Sequence, residues 1–184
     1  MKTRSYWLTP ALCALALAGC GDKTEPVDED PVEEIAAPPP WVASEANRAA
    51  FERVNGQIVA TLALCRIGKD IIGKEIAEGD RNGAYQEAVS AKHTCRGVDF
   101  DKLDTAGIGN EAAIKAVKDS LNDCLVSLET RAQSYETMEN VIDRGGGPKP
   151  SELMAVETDF RDADVLAEQC RQAVSKAASE KGLR

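Results

Sequence analysis

The sequence predicts an all-α protein: an antiparallel helical bundle of two disulfide-stapled helical hairpins, about four helices in all, preceded by a disordered linker. Three observations predict it. Apolar residues recur at steps of three and four along almost the whole chain after Ser44. The stripes of consecutive segments match in reverse order when the chain is folded back at its glycine-containing breaks. The four cysteines of this region then fall at two common levels. Three units succeed one another along the chain: an apolar N-terminal segment over 1–19, an acidic, proline-rich linker over 20–42 that begins at Cys20, and the helical bundle domain over 43–184.

At the N-terminus, Lys2 and Arg4 precede an apolar run of signal-peptide length, too short to span a bilayer. The run ends in Leu17-Ala18-Gly19-Cys20, which resembles the lipobox of bacterial lipoproteins. That resemblance implies a diacylglyceryl thioether on Cys20, cleavage between Gly19 and Cys20, and acylation of the new amino group. Cys20 is then the membrane anchor; two or three acyl chains hold stably where one does not. Cys13 lies in the discarded segment and needs no function. The residue after Cys20 is Gly21 and not the aspartate that marks inner-membrane retention in enteric bacteria. By the same resemblance the chain is periplasm-facing, on the outer membrane before the inner.

Between Cys20 and Trp41 stand seven carboxylates (Asp22, Glu25, Asp28, Glu29, Asp30, Glu33 and Glu34), one lysine and five prolines. Such a stretch buries too little surface to offset its ordering entropy, and like charges with prolines keep it extended. At about 3 Å per residue it is a spacer that holds a domain tens of ångströms off a membrane. The formal net charge of the whole chain is −9, and loss of Lys2 and Arg4 with the leader makes the mature chain more acidic still. An acidic chain is a poor ligand for nucleic acid, which is bound by neutralising phosphates. Aromatic residues are 4% of the chain, so the core has to be built of aliphatics and alanine.

The helices are expected near 44–78, 84–96, 110–143 and 151–181, with Ser44 and Asn110 as N-caps and Pro150 in the last helix's first turn. Gly79 to Gly83, a looser segment from Gly97 to Gly109, and Gly145-Gly146-Gly147-Pro148-Lys149-Pro150 separate them. The third stripe reads Ile114, Val117, Leu121, Cys124, Leu128, Arg131, Tyr135, Met138, Ile142; the fourth reads Leu153, Val156, Phe160, Ala163, Ala167, Cys170, Val174, Ala177. Folded about the glycine turn they set Ile142 opposite Leu153, Tyr135 opposite Phe160 and Cys124 opposite Cys170. In the first hairpin Ile76 meets Ala84, Ile72 meets Ala88, Lys69 meets Ala91 and Cys65 meets Cys95. Four cysteines allow three pairings, and this geometry selects disulfides Cys65–Cys95 and Cys124–Cys170, in a compartment where such bonds persist. Separations of this length without CxxC pairs make a poor zinc pattern.

Two cations stand on the stripes, Lys69 and Arg131. Arg131 falls opposite Ala163, between Asp162 and Asp164; its stem packs and its head reaches an acid, or it reaches a ligand cavity between the hairpins. Lys69 has the same two readings. No catalytic constellation is assembled: His93 is the sole histidine, Asp99-Phe100-Asp101-Lys102-Leu103-Asp104 lacks the turn glycine and closing glutamate of a calcium loop, and the triple glycine lacks the GK[ST] of a phosphate cradle. Neither metal nor cofactor is expected.

The segment Cys124-Leu125-x-x-Leu128-x-x-Arg131 resembles the Cys-Leu-x-x-Leu-x-x-Arg segment of small disulfide-containing envelope proteins similar to the LprI-type lysozyme inhibitors. The likeness covers eight residues, without the aromatic and asparagine repeats of those proteins, and carries over no inhibitory residue. The sequence thus leads to a lipid-anchored envelope protein that binds another envelope component and has no catalysis of its own. The alternatives are a small-ligand carrier with a cavity near Lys69 and Arg131, or an envelope inhibitor.

Overall fold

A computed structural model describes residues 40–144 and 149–184. The expected signal peptide, Cys20, the expected linker as far as residue 39 and the expected turn at Gly145-Gly146-Gly147-Pro148 lie outside the described residues. Five α-helices follow one another: α1 (Glu45–Glu78), α2 (Arg81–Arg96), α3 (Glu111–Asp119), α4 (Asn122–Asp143) and α5 (Pro150–Glu180). Two short 3-10 turns lie between α2 and α3, and the described residues contain no strand. The protein is an all-α bundle. Among the described residues no helix is long and apolar enough to cross a membrane.

Helix α1 starts at Ser44, whose side chain accepts from the Asn47 N–H while the Asn47 side chain accepts from the Ser44 N–H, a reciprocal cap that satisfies two orphan donors. It ends at Gly79 with φ +79°, where the Asp80 N–H reaches the Glu75 carbonyl and the Gly79 N–H the Ile76 carbonyl, a left-handed stop. Asp80 then caps α2 by accepting from the Gly83 N–H at 2.8 Å. For that reason α2 begins at Arg81, three residues before the position expected from the stripe.

The helix expected over 110–143 is two helices. Ser120 Oγ donates to the Val117 carbonyl at 2.6 Å, the Ser120 N–H is shared between Ala116 and Val117, and the Leu121 N–H closes on Lys118. These i→i−3 closures tighten the turn and end α3. The apolar stripe crosses the break intact, since Val117, Leu121 and Cys124 are all buried.

Antiparallel neighbours form the sequence α1, α2, α4, α5. On α1 the buried side is Phe51, Val54, Ile58, Leu62, Cys65, Gly68 and Ile72. Helix α2 presents Ala84, Ala88, Ala91 and Cys95, small groups that let α1 and α4 come close on either side. Arg81 donates to the Ile142 carbonyl at the C-terminus of α4, and Lys92–Glu139 and Arg96–Glu136 pairs continue the same seam. Of the pairs expected between α4 and α5, Tyr135–Phe160 and Cys124–Cys170 are in contact. Beside the connection between α4 and α5 Leu153 is 39% exposed, and so is Ile76 near the end of α1.

Across the first hairpin, the Glu87 carboxyl is held above the usual carboxylate range by burial and then by the charge of Glu75, whose Oε2 is buried without a hydrogen-bond partner. A raised carboxylate penalises the fold once pH exceeds its folded value, and costs nothing below the unfolded value of about 4. Glu87→Gln is therefore expected to raise the melting temperature at neutral pH, with the gain vanishing when both chains are melted at pH near 3. A gain of the same size at both pH values would show that charge is not its origin.

Candidate functional site

Midway along the bundle the apolar layers give way to a polar one. The buried Tyr135 hydroxyl accepts from the Lys69 N–H at 3.0 Å and donates to the Cys65 carbonyl at 2.7 Å. Those two groups are partners one turn apart in α1, so the hydroxyl sits in the helix's own hydrogen-bond ladder. Burial pushes the Tyr135 hydroxyl well above its ordinary pKa. Gly68 makes the approach possible: a Cβ there would lie 2.6 Å from the Ala91 Cβ and 3.0 Å from the Tyr135 Oη. The Tyr135 ring meets Phe160 edge to face, with centroids 5.0 Å apart, as the folded-back stripes require.

Phe160 in turn stands near two cations, Lys69 Nζ at 5.4 Å and the Arg131 guanidinium at 6.0 Å. The residue of α1 that faces Ala91 is Gly68, not Lys69. One residue further on, Lys69 is carried round the helix to α5, where its ammonium donates to Glu157 Oε1 at 2.7 Å. It is a bridging residue between two helices.

Arg131 differs. Only 3% of its side chain is exposed. Nη2 donates to Asp164 Oδ1 at 2.5 Å, and Nη1 is buried with no partner. The stem packs in the core and the head reaches an acid, and the same side chain also lines a cleft of about 240 Å³. Val59, Leu62 and Ala63 of α1 and Ala167 of α5 give the cleft apolar walls. Arg66 and Arg171 stand at its rim, Arg66 with its Nε 3.9 Å from Asp164 and Arg171 paired with Glu168. Sequence reasoning singled out Arg131 and missed Arg66 and Arg171. Their signal was the dipeptide Cys-Arg: an arginine directly after a core cysteine is turned from the core to the edge of the helix interface.

The disulfide Cys124–Cys170 is present, with Cα atoms 5.0 Å apart, and ties α4 to α5. The other expected bridge is not formed in the structure. Cys65 and Cys95 are buried free thiols, with Cys95 Sγ turned to the Cys65 carbonyl at 3.9 Å. The neighbouring Cys95 thiol holds Cys65 below the ordinary thiol range, against the opposing effect of burial. The same contact, reinforced by burial, pushes Cys95 far up.

His93 is exposed near the end of α2. In the loop that follows, Asp99 Oδ1 accepts from the Asp101 N–H at 3.0 Å and Oδ2 pairs with Lys102 at 3.2 Å, so that carboxylate is engaged locally. Among the described residues no three His, Cys, Asp or Glu side chains gather in a metal-binding group. Comparison with protein-family models, with curated proteins and with solved structures gives no match.

Proposed function

We propose that this chain is a lipid-anchored, periplasm-facing binding module of a bacterial envelope, tethered through Cys20 and non-catalytic. The observation that carries the reading is the order Leu17-Ala18-Gly19-Cys20, acidic spacer, bundle: an address, a tether and a rigid body in succession. The groups gathered at the cleft agree with it: guanidinium and aliphatic side chains suit the holding of a partner, and the one carboxylate among them, Asp164, is engaged by Arg131 and lies 3.9 Å from Arg66 Nε. The absent aspartate after Cys20 favours the outer membrane. In that compartment Cys65 and Cys95 each give up a proton and an electron to the resident thiol oxidant and close the second staple.

A second reading, in which the partner is another protein, is favoured by α1's outward stripe of Leu64, Ile67 and Ile71, respectively 62%, 49% and 36% exposed. Fractionation of a diderm host tests the anchored reading. The native chain is expected with the membranes, and Cys20→Ala in the soluble periplasm or retained as uncleaved precursor. A native chain recovered free in the soluble fraction would end it.

A further inference from the structure

A guanidinium withdrawn from water with one nitrogen unpaired is an expensive arrangement, because an ion in the interior is tolerated when its donors are used. Asp164 takes one nitrogen of Arg131 and leaves Nη1 free, in a side chain that lines an open-sided cleft. From the anchored-module reading, on which this rests, we infer that the cleft between α1 and α5 binds a compact monocarboxylate with an apolar body. Its carboxylate is held by the guanidinium of Arg131, with Arg66 and Arg171 at the rim.

Charge and shape select that class. Three guanidiniums meet here, Arg66, Arg131 and Arg171, against the carboxylates of Asp164 and Glu168. The surplus is a single positive charge, which a monoanion neutralises and a phosphate dianion exceeds. A carboxylate also fits the fork of arginine donors, and a buried charge-assisted hydrogen bond is among the stronger polar contacts. Val59, Leu62, Ala63 and Ala167 give four aliphatic surfaces for the apolar body, and the remaining lining residues, Arg66, Arg131, Asp164 and Arg171, are charged. The space equals about eight water volumes, which suits a short acyl chain or a single aromatic ring.

The test is calorimetric titration with octanoate of the mature chain from residue 20 carrying Cys20→Ser, with octanol and inorganic phosphate as matched probes. Octanoate is expected to saturate one site, and octanol and phosphate to show no saturable binding. Arg131→Met is expected to weaken octanoate about tenfold or more, as the loss of a charge-assisted bond does. Should that variant not fold, the exposed pair Arg66→Gln with Arg171→Gln decides: about threefold weaker binding is expected from the lost rim charge. Unchanged affinity in either folded variant, equal binding of octanol, competition by phosphate, or no binding of octanoate would overturn the assignment. Anchoring at Cys20 is read by fractionation and not by titration, so a failed titration leaves the tethered module standing.

Discussion

Replacing Cys124 and Cys170 together by alanine is expected to lower the unfolding free energy by about 4 kcal/mol, the loop-closure value for a bridge spanning this much chain. The bond joins residues separated by 46 positions across the α4–α5 connection, so its loss opens that loop in the unfolded chain. Both cysteines are fully buried, so the missing sulfur atoms leave space that the core refills only in part. Urea melts of the native chain and the variant measure the difference. Each single replacement should cost nearly as much as the double one, because either removes the whole bond. A double-variant loss below about 1 kcal/mol would show that the hairpin is held by its apolar packing and not by the bond.

The second large effect comes from one missing methyl group. Gly68→Ala is expected to destabilise by about 2 kcal/mol, as overpacking of a tight core does. The added Cβ would press on Ala91 at 2.6 Å and crowd the Tyr135 hydroxyl, and Ala91 has no flexible end to move aside. Either α1 and α2 separate or Tyr135 gives up its place between Lys69 N–H and Cys65 carbonyl. Gly73→Ala, in the same helix with nothing within 4 Å of the new Cβ, should have the opposite sign and stabilise by about 0.5–1 kcal/mol. The paired melts isolate packing from helix propensity. Destabilisation of equal size at both positions would contradict the close-approach role of Gly68.

The bundle was legible because its signals are local and repeated. Stripes at steps of three and four, capped by Ser44 and Asn110 and stopped at Gly79, specify helices without reference to the rest of the chain. Reverse matching of the stripes gave Cys124–Cys170 and Tyr135–Phe160, since antiparallel neighbours joined by a short turn have one register. Lys69 was misplaced by one residue because a stripe gives a face and not the depth of approach; the Gly68–Ala91 contact settles which residue points inward. The break at Ser120 was hidden for a related reason. A serine within a helix bonds to its own backbone without disturbing the apolar pattern, and here Leu121 stays in line.

The cleft was half legible. Arg131 stood out as a charge on an apolar stripe, which is a local signal. Arg66 and Arg171 lie off the stripes on helices that are neighbours only after the bundle closes, since α1 and α5 stand at opposite ends of the chain. Their meeting depends on tertiary register, which no window of sequence contains. The thiol pair Cys65–Cys95 shows the converse: the partners follow from register alone, while the bond between them depends on the redox state of the compartment.

An intact mass of the protein extracted from membranes, alkylated before and after reduction, tests the tethered and stapled bundle most directly. The predicted result is a chain beginning at Cys20 with acyl mass on that residue, and with Cys65, Cys95, Cys124 and Cys170 taking up alkyl groups only after reduction. A chain that retains residues 1–19, or begins at an unacylated Cys20, and alkylates without reduction would contradict the address, the tether and the staples together.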